Sequence, residues 1–161
     1  MYIEILGLVF EIILGTIGHF LYEWSGYNKI IGFLFSKNES TWEHMKLGIT
    51  PILLWTIVEL LTKNSFPNLF FAKFISIITF SFCLLILYTL YKYILKKNII
   101  VIDIIIFYIS LFVSSLVSIK VLSSSNLGFL NVLSVFGIGF VIYLYFKFNK
   151  NTPNWYIFKN Y

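Results

Sequence analysis

Apolar residues run through this chain in blocks of helical length, separated by a few polar joints. Read with a window of about 19 residues, the pattern predicts five membrane-length helices at roughly 3–22, 45–62, 69–91, 98–119 and 127–147. The joints fall at 64–68, which holds Ser65 and Pro67, at Lys96 to Asn98, and at the serine run from Ser123 to Asn126. Each is a helix breaker or a solvated connector. The alternating segments of about ten residues that mark a transmembrane barrel are missing. A shorter block, "IIGFLF" at 30–35, cannot span a bilayer and is expected to lie at the surface or re-enter it. The expectation is one domain over 1–161: an all-α integral membrane protein, a bundle of about five transmembrane helices.

Composition agrees, with 59% hydrophobic residues, 20% aromatics, 12% charged residues and a mean hydropathy of +0.88. These values lie far from those of a soluble domain. The first block carries Glu4 and Glu11, has no basic segment before it and no small-residue cleavage site after it, so it is expected to be retained and not cleaved as a signal peptide. Cys83 stands alone inside the third block, where a buried thiol is expected and an intrachain disulfide is impossible.

All twelve basic residues are lysines. With five spans, Lys29, Lys37, Lys46, Lys92, Lys96, Lys97, Lys147, Lys150 and Lys159 share one face, and Lys63, Lys73 and Lys120 the other. The positive-inside rule then places the N-terminus outside and the C-terminus in the cytoplasm. The formal charge of +5 is explained by topology and attraction to anionic lipid, with no nucleic-acid partner implied.

Polar chemistry concentrates in "NESTWEHMK", residues 38–46, which leads into the second span. Ser40 and Glu43 have capping-box spacing: the serine would accept the residue-43 N–H, and the glutamate would reach back to the N–H of Ser40. Lys46 can snorkel to the interface and Trp42 suits the headgroup region. The first span ends in "GHFLYEW", where His19 and Glu23 are four apart and share a helix face. His19, Glu23, Glu39, Glu43 and His44 are expected to converge at the cytoplasmic ends of the first two helices, with Asp103 entering from the fourth span.

Imidazole plus carboxylate is the donor set of a zinc, manganese or iron site, for which His19, Glu23 and His44 are the candidate ligands. Glu39, Glu43 and Asp103 are the candidate catalytic acids. A hydrogen-bonded network locking the first two helices explains the same residues without a metal. Glu11 and Glu59 sit deeper, on a solute or proton path or held by hydrogen bonds in the bundle; Lys63 and Lys73 are candidate partners for Glu59. Glu4, Glu11, Gly15 and Gly18 form a packing stripe. Pro51 is expected to kink the second span, or to break it at a functional site, and to free a carbonyl near residue 47. Ser110, Ser114, Ser115 and Ser118 give the fourth span a hydroxylated face.

The segments "ILGTIGHFLYEWSGYN", "NESTWEHMKLGITP" and "IDIIIF" resemble an uncharacterised family of small bacterial polytopic membrane proteins, a domain of unknown function with an NES-x-WEH-x-K block. The likeness covers about residues 8–120. It implies recurring polar positions at His19, Tyr22, Asn38, Glu39, Ser40, Trp42, Glu43, His44, Lys46 and Asp103. Where that family continues in a longer proline- and glycine-containing tail, this chain has "NTPNWYIFKNY". The resemblance implies a fold and a site location, and no activity.

Three function classes follow. A solute- or ion-binding or transport protein of the bacterial cytoplasmic membrane accounts best for deep carboxylates, and five spans suggest a homo-oligomer or a partner membrane subunit. A membrane-embedded metal-dependent hydrolase or transferase acting on lipid is the second, and a non-catalytic membrane assembly partner the third. Walker, GxSxG, Cys-x-x-Cys and dinucleotide motifs are missing, which argues against nucleotide-driven, serine-hydrolase and thiol-redox chemistry.

Overall fold

A computed structural model describes residues 2–62, 67–97 and 99–159. These form six α-helices: α1 (Tyr2–Trp24), α2 (Lys29–Leu34), α3 (Thr41–Leu61), α4 (Leu69–Leu95), α5 (Ile100–Leu122) and α6 (Gly128–Lys150), followed by a 3-10 turn at Tyr156–Phe158. All but α2 are long and apolar enough to cross a membrane. They coincide with the five predicted blocks, their ends differing by up to four residues. Asn64, Ser65 and Asn98 of the expected joints, and Lys63, the candidate partner for Glu59, lie outside the described residues.

The spans α1, α3, α4 and α5 close a ring through the contacts α1–α3, α3–α4, α4–α5 and α5–α1, and α6 packs on the outside of α4. Consequently α3 is the most enclosed span and α6 the least. Every residue from Thr41 to Ile52 is buried. That differs from the expectation that Trp42 and Lys46 lie at the membrane surface. Trp42 packs against Tyr145 and Phe148 of α6 and Phe158 of the 3-10 turn. The C-terminal segment thereby covers the start of α3. Cys83 is only partly buried, where a buried thiol is the expectation.

The short helix α2 belongs to the bundle because α3 completes its hydrogen bonding. Asn28 caps its N-terminus, its Oδ1 accepting the Ile30 N–H at 2.9 Å and the Ile31 N–H at 3.4 Å. At the other end, carbonyls that a six-residue helix leaves without partners are met by side chains. Lys46 Nζ, 0% exposed, donates to the Gly32 carbonyl at 2.8 Å, and Thr50 Oγ1 donates to the Leu34 carbonyl at 2.6 Å. Lys46 also pairs with Glu43 at 2.7 Å, so its charge is compensated inside the fold and does not reach the interface.

Helix α3 runs unbroken through Pro51, so a broken span is not formed. Proline at this position cannot donate to the Leu47 carbonyl. That oxygen lies against α1 at Gly15, where a Cβ would stand 2.7 Å from it and 2.5 Å from the Phe107 ring. Glycine is therefore the residue that lets α1, α3 and α5 meet. Gly15→Leu is expected to cost at least the ~1–3 kcal/mol typical of overpacking, read as a lower Tm in detergent. Gly139→Ala, at a position with no neighbour within 4 Å of the added carbon, should not lower Tm, since alanine is the better helix former.

A second polar cluster lies at the opposite end of the ring, inside the apolar spans. Lys73 of α4, 2% exposed, stands 2.7 Å from Glu4 of α1 and 2.9 Å from Glu59 of α3. Ser118 of α5 donates to the other Glu4 oxygen at 3.0 Å. All four ring helices thus contribute to one charge cluster. Glu11, two turns beyond Glu4 on the same buried stripe of α1, makes no hydrogen bond among the described residues. Asn68 closes the adjacent loops: its amide donates to the Val121 and Ser125 carbonyls, and its Oδ1 accepts the Leu127 N–H at 2.8 Å.

Candidate metal centre

The loop before α3 is a tight turn held by its own polar side chains. Ser36 Oγ donates to the Asn38 carbonyl at 2.8 Å, and Asn38 Oδ1 accepts the Ser40 N–H at 3.0 Å. Ser40 caps α3 as expected, accepting the Glu43 N–H at 3.3 Å. The reciprocal half of the capping box is not formed, because Asn38 has taken the Ser40 N–H. Glu43 instead accepts the Lys37 N–H at 2.8 Å and binds Lys46, which ties the loop to the helix from inside. Ser40→Ala should cost about 1 kcal/mol, the usual value of an N-cap, measurable by thermal unfolding.

This turn pushes Glu39 outward and over the end of α1. Glu39 Oε1 lies 3.5 Å from His19 Nε2, and Oε2 lies 3.6 Å from His44 Nε2. One ligand atom from each of the three residues falls within 4.8 Å of the others. The two imidazoles meet edge to face, with ring centroids 5.5 Å apart.

His44 is oriented for coordination. Its Nδ1 is 3.0 Å from the Ser40 carbonyl, which can only accept, so Nδ1 carries the proton and the Nε2 lone pair faces Glu39 and His19. Donation from the far ring nitrogen to a carbonyl is the arrangement that fixes tautomer and direction in metal-bound histidines. Ligands about 2.0–2.1 Å from a tetrahedral zinc stand roughly 3.3 Å apart. The two His–Glu separations are close to that edge, and the donor set of two imidazoles and a carboxylate leaves a position open.

The site is accessible. The side chain of Glu39 is 51% exposed and that of His19 34%, whereas that of His44 is 9% exposed. The His19 imidazole, hydrogen-bonded to Glu39, holds its carboxyl below the usual carboxylate range, against the burial that opposes it. A depressed carboxyl pKa contributes stability at neutral pH that is lost as pH falls through the folded-state value. Glu39→Gln should therefore unfold with a flatter acid dependence than the parent protein, followed by circular dichroism.

The remaining candidates fall into place around this group. Glu23 is exposed and senses His19 electrostatically, but is not one of the three converging candidate ligands. Glu43 is buried and committed to Lys46. Asp103, at the start of α5, is faced by Tyr91, and its Oδ1 is buried without a hydrogen bond. Glu59 is held with Glu4 by Lys73, far from this end of α3. Sequence reasoning did not find Tyr88, whose ring packs on His44, or Lys92, whose ammonium lies 3.8 Å above the Tyr88 ring. Both lie on α4 one turn apart, a spacing no commoner at sites than elsewhere in an aromatic-rich span.

No curated protein and no solved structure matches this chain. A family model does match, over residues 2–161, so its extent runs past the 8–120 likeness and takes in the C-terminal segment packed on Trp42. The chain belongs to that family, a family of unknown function (DUF6512).

Proposed function

We propose that this protein is an ion-binding membrane protein of the transport class that takes a divalent metal, zinc, manganese or iron, at His19, Glu39 and His44. The convergence of those three ligand atoms within 4.8 Å carries the reading. Supporting it, the fixed His44 tautomer presents a lone pair to the site, and the half-exposed Glu39 gives an ion a way in and out. The buried stripe of α1 runs from Glu4 and Glu11 through Gly15 and Gly18 to the residue before His19. With Glu4 held by Lys73 and Ser118, Glu11 is the carboxylate of this stripe that could serve a cation or proton route. In a bacterial cytoplasmic membrane, the lysine distribution puts the metal site on the cytoplasmic side.

The test is metal titration of the detergent-purified protein, with His19→Ala, His44→Ala and Glu23→Gln alongside. One ion per chain is expected for the parent and for Glu23→Gln, and none for either histidine variant. Equal binding by all four proteins would end the proposal. One observation favours a metal-dependent hydrolase acting on lipid instead: Asp103 Oδ1 is buried without a hydrogen bond and the Asp103 carboxylate acts electrostatically on His44, so it could serve a metal-bound water as base. Metal-dependent release of product from phospholipid, lost in Asp103→Asn with metal retained, would select that reading.

A further inference from the structure

At the lysine-rich end of the bundle, a cleft of about 670 Å³ opens between the α2 region and the end of α6. Lys29, Lys37, Lys147 and Lys150 line it, and no acid does. The positions come from three separate segments: the start of α2, the loop before α3 and the last turn of α6. Last-turn lysines complement a helix dipole wherever they occur, which accounts for Lys147 and Lys150. It does not account for Lys29 and Lys37, brought to the same opening from elsewhere in the chain.

Lys37 is steered into the cleft by Asn149, whose Oδ1 accepts from its Nζ at 3.0 Å. Asn149 is itself anchored by donating to the Tyr145 carbonyl at 2.9 Å. Among the described residues, Lys29, Lys147 and Lys150 make no ion pair. Four lysine ammoniums that make no ion pair among the described residues form a site for a multiply charged, oxygen-rich anion, and phosphate is the group of that chemistry found at a membrane surface.

The wall of the cleft continues along the membrane side of α6. Phe136, Phe140, Tyr143 and Phe146 are 72%, 59%, 54% and 62% exposed, and Tyr143 and Phe146 line the cleft itself. This aromatic strip runs from the apolar part of the span to Lys147. A soluble phosphate ester would leave it unused, whereas an amphiphile would cover both halves.

We propose that the cleft binds the phosphate-bearing headgroup of an anionic lipid, with its acyl chains along the aromatic strip of α6. The lysines provide the charge recognition, and Asn149 is a positioning residue for Lys37. The proposal is independent of whether a metal occupies the histidine site.

The experiment is native mass spectrometry and thermal unfolding of the full chain in neutral detergent, titrated separately with phosphatidylglycerol, phosphatidylcholine and glycerol phosphate. Phosphatidylglycerol should be retained and should raise Tm, and the other two should not. Each lysine near an anionic group is worth about fivefold in affinity, so Lys29→Gln/Lys147→Gln/Lys150→Gln should lose on the order of 100-fold. Lys96→Gln/Lys97→Gln, on the same face but outside the cleft, should bind as the parent does. Salt reads the same contact without any substitution, since parental affinity should fall as sodium chloride rises.

Equal binding of phosphatidylcholine, or a salt-independent affinity, would overturn the proposal. So would equal losses in the cleft and control variants, which would mean diffuse surface charge. Glycerol phosphate binding as tightly as the lipid would assign the cleft to a soluble ester and overturn the lipid assignment.

Discussion

Replacing Lys73 with methionine is expected to destabilise this protein by about 3–5 kcal/mol, the cost of removing one partner from a buried ion pair. Lys73 is 2% exposed and is the cation that Glu4 and Glu59 share. Without it, two carboxylates from α1 and α3 face each other among apolar helices, and one or both must take up a proton. A large fall in Tm in detergent is the expected reading. Adding Glu4→Gln and Glu59→Gln to Lys73→Met should recover much of the loss, because neutral amides remove the uncompensated charge. Strictly additive losses across the three substitutions would show that the residues do not act as one cluster.

The second large effect is at the other end of the ring. His19→Ala and His44→Ala should each abolish stoichiometric metal binding, and the double variant should be no worse than either, since the two side chains serve one ion. The expected loss exceeds the roughly 10–100-fold that follows from disturbing an outer-shell partner alone. A metal bound only by the folded state adds about 2.7 kcal/mol at a free concentration 100 times its dissociation constant. Zinc should therefore raise the Tm of the parent and leave the histidine variants unchanged. Affinity should weaken in acid, where protons compete for the imidazoles.

The spans were legible in the sequence because hydrocarbon thickness imposes a length of about 20 apolar residues, and little else competes with that signal. Partners across helices were not legible in the same way. Lys46 has the composition of a snorkelling residue, and only the docking of α2 over it, leaving the Gly32 carbonyl without a helical partner, makes burial favourable. Trp42 resembles an interfacial anchor until Phe148 and Phe158 are folded back on it.

Chemistry and spacing single out the two histidines that the fold brings together. The third member of the group illustrates the limit of that approach. Spacing of four on a helix singles out Glu23, because helical periodicity is a local rule. Glu39 reaches the imidazoles through a turn whose direction depends on Asn38 binding the Ser40 N–H and Glu43 binding the Lys37 N–H. Those are specific hydrogen bonds within the loop, and periodicity contains no information about them. Glu43 likewise has a capping-box position, yet its carboxylate is used on Lys46 and the Lys37 N–H.

Zinc K-edge X-ray absorption on the metal-loaded protein tests the metal centre most directly. The account predicts two imidazole nitrogens and carboxylate oxygen at about 2.0–2.2 Å, with imidazole scattering lost in the His19→Ala/His44→Ala variant. A spectrum of oxygen ligands alone, or one unchanged by the double substitution, would contradict it and leave His19, Glu39 and His44 as a polar contact between α1 and α3.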